Sequence, residues 1–303
     1  MLKEKKRKNI RYLPLYLMML PGMVYLIINN YIPMGGLILA FKKYNYQLGI
    51  IDSPWNGLNN FRFLFKGKDG FIMIRNTLCY NLAFILIGTV VSITVAIMLN
   101  AVVSTRARKI YQTVILIPYL ISIVIVSYLA FAFLSVDNGL LNNTLLKGHE
   151  VSWYTSPKYW PFILTFINMW KSFGYSSIVY YATIIGIDPT YYEAASIDGA
   201  GKLKQVFSIT LPCLKPTIIT LLLLSIGNVF YSDFGLFYQV PMNSGPLMKV
   251  TQTIDTYVYR ALMTSSDVGK SAAVGFLQSI LGFILVYSVN SVVNKIDKDN
   301  ALF

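Results

Sequence analysis

Six apolar stretches, each long enough to cross a bilayer, constrain this 303-residue chain more than any other feature. They cover residues 13–32, 77–99, 110–134, 160–187, 217–240 and 272–293. A bilayer-spanning helix needs roughly 20 mostly apolar residues, and only Lys171 and Asp233 interrupt these runs with charge. The apolar residues are continuous rather than alternating in segments of about ten, so helices are predicted and barrel strands are not. Only 13% of the residues are charged, about half the share usual in soluble domains. The first run is too long for a signal-peptide core and lacks a small-x-small cleavage site, so it is expected to be retained. The predicted fold class is an all-α membrane protein with six transmembrane helices.

The net charge of +13 is explained by position. Lys3, Lys5, Lys6, Arg7, Lys8 and Arg11 directly precede the first span. Beside a span such a run is a topology signal and a contact for anionic lipid head groups, rather than a nucleic-acid site. Together with Arg106–Lys109 it puts the N-terminus in the cytoplasm, and six spans return the C-terminus there. The segment 35–76 is then external, although it carries Lys42, Lys43, Arg62, Lys66, Lys68 and Arg75. Long loops cross with little regard to charge. Trp55, Phe61, Phe63 and Phe65 in that segment suit either an interfacial helix or an ordered loop packed on its own protein.

Cys79 and Cys213 do not make a disulfide framework. The single His149 has no Cys or carboxylate at metal-ligand spacing, so no metal site is predicted. The segment Val268-Gly269-Lys270-Ser271 is the nearest approach to a phosphate-binding loop. The glycine such a loop needs five residues earlier is Thr264 here.

One polar, small-residue stretch lies between the fourth and fifth runs: Glu193-Ala194-Ala195-Ser196-Ile197-Asp198-Gly199, closed by Ile209-Thr210-Leu211-Pro212. Asp188-Pro189 can cap and start a short helix there. Gly199 and Gly201 allow a turn, a second helix is predicted over 202–210, and Pro212 is expected to stop it before the fifth span. Seven positions at this spacing, Glu193, Ala194, Ala195, Gly199, Ile209, Leu211 and Pro212, resemble the EAA loop of ABC importer permeases. Trp170-Lys171-Ser172-Phe173-Gly174 and Gly186-Ile187-Asp188-Pro189 are similar to carbohydrate permeases of the maltose-transporter type. Ile254-Asp255-Thr256-Tyr257-Val258-Tyr259-Arg260 and Tyr31–Asn45 resemble the LplB-like branch, which imports oligosaccharides or polysaccharide fragments. The stretch Phe234–Gln239 departs from that pattern.

The resemblance implies a type I importer (MetI-like) transmembrane fold with a permease core over 72–294, following a basic N-terminus (1–12) and a first helix with its external segment (13–71). The coupling loop is 188–216 and the cytoplasmic tail 295–303. It implies that Glu193, Ala194, Ala195, Asp198, Gly199, Ile209, Leu211 and Pro212 dock on a separate ATPase. This chain itself would then be non-catalytic and bind no cofactor, with ATP and Mg on the partner ATPase. The implied partners are a second, different permease subunit, two ATP-binding subunits, an extracytoplasmic solute-binding lipoprotein, membrane lipid and an oligosaccharide. The implied location is the bacterial cytoplasmic membrane.

Sugar sites combine aromatic faces with side chains that hydrogen-bond hydroxyls. Trp170, Lys171, Tyr175, Tyr180, Asn228, Tyr231, Asp233 and Tyr238 are the candidates for the substrate path, with Phe173, Tyr181, Tyr119, Ser122 and Tyr128 behind them. Any single aromatic reads equally as packing, and Lys171 and Asp233 read equally as an ion pair between the fourth and fifth helices. The alternatives are a permease for glycerol phosphate or another small sugar, and a secondary transporter. The latter would show ion-coupling carboxylates near the midplane or inverted repeats.

Overall fold

In the computed structural model of the chain, residues 2–296 are described. The end of the predicted tail, from 297 on, lies outside them, as do the side chains of the basic run 3–11. The described residues are mostly helical and form no strand; Lys42 with Trp55 and Asn45 with Gly49 make isolated bridges. Among the described residues four helices are long and apolar enough to cross a membrane, or five if one sharply bent pair is a single span.

Two compact units are present, residues 1–63 with 260–277, and 64–259 with 278–303. In the first, α1 (Leu2–Leu26) runs through Pro14 and Pro21 and continues as a π turn (Ile27–Tyr31) and a 3₁₀ turn (Gly35–Phe41). The helical path therefore runs on past Pro33. One N–H bonds five residues back, Ile32 to the Ile27 carbonyl, just before the ring of Pro33. The extra residue of a π turn absorbs the hydrogen bond that proline cannot make. Its flanks are apolar and exposed, as a lipid-facing helix requires (Leu15, Met18 and Tyr25 among them). The segment after it is an ordered loop with short turns, not a long interfacial helix. The Asn60 side chain donates to the carbonyls of Ala40 and Lys42 at 3.0 and 2.9 Å, and Phe41 packs on Phe61 and Phe276.

The second unit contains α2 (Lys68–Ala101), α3 (Thr105–Leu120), α4 (Ile123–Leu134) and α5 (Trp160–Ile185). After these come α6 (Pro189–Ile197), α7 (Lys202–Gly227), α8 (Phe234–Tyr238), α9 (Ile254–Met263) and α10 (Val268–Ile296). Part of α9 and the start of α10 belong to the first unit. The helices α2 and α5 form the most extensive pair. One core cluster holds Tyr80, Val126, Trp160, Leu164, Ile167, Leu236 and Phe237, and a second holds Ala96, Leu99, Tyr180, Tyr181, Ile184 and Leu214.

Two predicted spans are interrupted. The third run bends by 91° between α3 and α4. Pro118 weakens the end of α3, Ile121 is extended, and the Ser122 hydroxyl accepts from the Val124 N–H to start α4. The fifth run stops at Gly227, and the Asp233 carboxylate caps α8 by accepting from the Leu236 N–H at 3.0 Å. Pro212, by contrast, stops nothing. A π turn (Val206–Thr210) precedes it, Leu211 N–H bonding to Val206, and the helix continues to Gly227. This is the arrangement seen before Pro33.

Candidate functional site

The polar loop between α5 and α7 is built by local chemistry. The Asp188 carboxylate accepts from the Thr190 N–H at 2.9 Å, and Pro189 occupies the first helical position of α6. Hydrogen bonds from the Thr190 backbone and side chain hold the Asp188 carboxyl below its usual range. At the other end Gly199 has φ +74°, the Ala200 N–H reaches the Ala195 carbonyl at 2.8 Å, and the Gly199 N–H reaches Ser196 at 3.1 Å. Those two bonds are a complete Schellman closure, which needs a left-handed residue where Gly199 stands. Two side-chain ties fold α7 back on α6. Gln205 Nε2 donates to Ser196 Oγ (2.9 Å) and the Ala200 carbonyl (3.1 Å), and the Tyr192 and Thr210 hydroxyls meet at 2.9 Å.

The loop presents an outward apolar surface. Ile197 is 87% exposed, Leu203 76% and Phe207 68%, and Glu193, Ala194, Asp198, Gly199 and Pro212 are exposed with them. Ala195 and Ile209 are half-buried, and Leu211 packs against the second core cluster. The three large apolar side chains were not among the sequence candidates. Their signal was available, since apolar residues in an otherwise polar loop have no core to enter.

A polar cavity of about 380 Å³ lies among α2, α5 and α7. Asn81, Phe84, Ile85, Gly88, Thr89 and Ser92 line it from α2, and Asn168, Ser172, Ser176 and Tyr180 from α5. Leu221 and Ser225 of α7, with Asn228 and Tyr231 just beyond it, close the wall. Every polar group in this lining is uncharged near neutral pH. Such a wall offers hydroxyls and amides that donate and accept, between apolar surfaces that exclude water.

Of the eight path candidates, Tyr180, Asn228 and Tyr231 are brought together here. The other five are placed elsewhere. Trp170 packs on the first core cluster and borders an apolar groove with Phe162 and Phe166. Tyr175 stacks on Tyr119 with ring centroids 5.0 Å apart, and Tyr238 stacks on Phe234 at 4.9 Å. Ser122 is a helix cap, Tyr181 accepts from Arg108, Tyr128 is exposed, and Phe173 borders an apolar pocket.

Lys171 and Asp233 do not pair. Asp233 caps α8, and Lys171 Nζ donates to the carbonyls of Ile121 at 2.6 Å, Tyr119 at 3.1 Å and Pro118 at 3.5 Å. Carbonyls at the end of a helix lack helical partners; the Pro118 carbonyl also takes the Ile121 N–H at 3.3 Å, and the lysine adds a donor to all three. The lysine is therefore the cap of the broken third run. Lys171→Met is expected to destabilise the protein by about 3 kcal/mol, the scale of hydrogen bonds to a charged donor. The thermal unfolding midpoint of the purified protein measures this, and an unchanged midpoint would refute the capping role.

The residues sequence reasoning passed over are Asn81, Thr89, Ser92, Asn168, Ser172, Ser176 and Ser225. Their spacing carried a signal: 81, 85, 88, 92 and 168, 172, 176, 180 each mark one helical face.

Among the described residues no group of three His, Cys, Asp or Glu could hold a metal ion. Lys270, of the segment that approached a phosphate loop, is ion-paired to Asp267 at 2.7 Å at the start of α10.

Comparison with known proteins agrees with this geometry. Residues 72–298 match the family described as "Binding-protein-dependent transport system inner membrane component". The chain is 36% identical over 304 residues to the polygalacturonan/rhamnogalacturonan transport system permease protein YteP of Bacillus subtilis, covering 98% of this chain and 94% of that one. It is 33% identical over 287 residues to Protein LplB of the same organism, covering 94% and 90%. A bacterial alginate ABC transporter, solved in complex with an alginate pentasaccharide-bound periplasmic protein, contains a chain that superposes with a TM-score of 0.87 at 33% identity. The match covers 96% of this chain and 98% of that one. The chain belongs to the family of binding-protein-dependent transport system inner membrane components, as an ABC importer permease of the carbohydrate-uptake, LplB-like branch.

Proposed function

We propose that this permease passes oligosaccharides released from larger polysaccharides through the cavity among α2, α5 and α7. The relatives named for polygalacturonan, rhamnogalacturonan and alginate support that substrate class. In this reading the chain pairs with a second, different permease subunit in the bacterial cytoplasmic membrane and takes sugar from a binding protein outside. Two ATP-binding subunits dock on α6 and the start of α7. Their closure on ATP drives the cavity outward, and hydrolysis resets it. The reading places six spans in the bilayer, with α5 as one of them and α3 with α4 as another. Both termini and the coupling loop face the cytoplasm. ATP and Mg are held by the partner ATPases.

The observation that carries this reading is the uncharged, hydrogen-bonding lining of the cavity. Sugar hydroxyls need donors and acceptors in pairs: the Asn168 and Asn228 amides carry both, and Ser172 and Ser225, whose hydroxyls donate to the Asn168 and Leu221 carbonyls, add acceptors. The lining has no cation to pair with a phosphate or a carboxylate, so what it offers a solute is recognition of hydroxyls. A secondary transporter would place ion-coupling carboxylates in the wall, and the lining contains no carboxylate either.

Asn168→Ala is expected to raise the half-saturating sugar concentration for uptake by the reconstituted importer roughly tenfold, as loss of a well-placed hydrogen bond does. Basal ATP hydrolysis should be unchanged. An unaltered half-saturation for both Asn168→Ala and Ser225→Ala would rule this cavity out as the path.

A further inference from the structure

The cavity wall contains an unwound stretch, residues 228–232, where α7 has ended and α8 has not begun. Backbone outside a helix at membrane depth is tolerated only where its polar groups find partners or line a cavity. The Val229 and Tyr231 N–H groups bond locally, to the Ile226 and Asn228 carbonyls at 3.0 and 2.9 Å, while the carbonyls of 229–231 and the N–H of Ser232 are met by side chains from different helices. Asn81 Nδ2, from α2, donates to the carbonyls of Val229 (2.7 Å) and Tyr231 (2.8 Å). Gln278 Nε2, from α10, donates to the carbonyl of Phe230 at 2.7 Å. Asp255, from α9, accepts on Oδ2 from both the N–H (2.6 Å) and the hydroxyl (2.7 Å) of Ser232. Its Oδ1 accepts from Gln278 Nε2 at 3.3 Å, which joins the two supports into one unit.

We propose that Asp255 and Gln278 are positioning residues of the sugar path: with Asn81 they hold residues 228–232 unwound, so that Asn228 and Tyr231 form part of the cavity wall. Neither Asp255 nor Gln278 lines the cavity, so they act through the segment and not on the sugar. Without them the stretch has an alternative, because continuing α7 would satisfy the same carbonyls internally. Each residue that joins the helix advances about 100° around its axis, so the refolded stretch would present different side chains to the cavity.

The carboxylate is needed for its two acceptors. In Asp255→Asn one oxygen can still serve Ser232, but an NH₂ group then meets the Gln278 NH₂. Turning the Gln278 amide to relieve this takes its donor away from Phe230.

This inference rests on the cavity being the sugar path, and the test separates the two. In the assembled importer, with Cys79 and Cys213 changed to serine, Asn228→Cys is labelled with a water-soluble maleimide, with and without sugar. Adding Asp255→Asn is expected to slow labelling roughly tenfold, the population shift that one lost hydrogen bond to a charged acceptor brings. Gln278→Leu should do the same, and it serves as the second variant if Asp255→Asn fails to assemble. Labelling of Ser92→Cys, across the cavity on α2, should not change. An unchanged rate at position 228, or an equal slowing at position 92, overturns the positioning role, the latter by showing general collapse. Failure of sugar to protect Asn228→Cys in the otherwise unmodified chain instead sinks the sugar path, while the labelling rates still decide what holds the segment.

Discussion

A chain carrying Glu193→Lys together with Gly199→Pro is expected to assemble with its partner subunits and yet lose ATP-driven uptake by about a hundredfold. The estimate starts from Gly199, whose φ of +74° no proline can adopt and whose N–H bonds to Ser196 at 3.1 Å. Forcing proline into such a site costs about 3 kcal/mol, which is a factor of roughly a hundred in the population of correctly folded loops. The exit direction of α6 is then lost, and with it the Gln205 and Tyr192 ties that fold α7 back. Glu193→Lys adds a reversed charge on the exposed face without touching that turn. Uptake and ATP hydrolysis stimulated by loaded binding protein, measured in proteoliposomes, report the coupling directly. If the double variant couples as the parent does, the docking role of this loop is wrong. Glu193→Lys alone separates surface recognition from loop geometry.

Gly174→Val should prevent stable packing of α3 against α5. A β-carbon at Gly174 would lie 1.8 Å from the Ile115 carbonyl oxygen and 2.6 Å from its carbon. Those are backbone atoms, so no rotamer change relieves the overlap and the helices must move apart. Even Gly174→Ala is expected to cost about 3 kcal/mol, the upper end of overpacking penalties, and valine more. Gly22 provides the control, since nothing lies within 4 Å of its would-be β-carbon. There, alanine should stabilise α1 by about 1 kcal/mol through helix propensity alone. Thermal unfolding of the purified variants decides the matter: equal midpoints for Gly174→Ala and the parent would show that the two helices do not make this close approach.

What the sequence revealed followed the range of the forces involved. Continuous hydropathy located the apolar runs because lipid exposure acts on every residue of a span. The cap at Asp188 and the turn at Gly199 were legible because each is made within about four residues of chain. The breaks were not. Ile121 is held open by Lys171, fifty residues away, and 228–232 by Asn81, Asp255 and Gln278, which no local pattern connects. Pro212 misled for a related reason, since its missing N–H is absorbed by a wider turn upstream instead of ending the helix. In the cavity, weighting aromatic residues singled out Trp170, Tyr175 and Tyr238, which packing claimed. The small polar residues at positions 168, 172, 176 and 225 took the wall instead, as their helical spacing would have indicated.

The wider turn at Val206–Thr210 also sets a phase. One residue more than an α turn offsets everything after it by about 100° around the helix axis. The faces of α7 on either side of that turn are therefore timed independently. Gln205 can stay locked to its own loop while Leu221 and Ser225, further along the same rod, point at the cavity. A helix of uniform pitch would have forced one set of contacts to dictate the other. Here the loop end and the cavity end are set separately on one continuous helix.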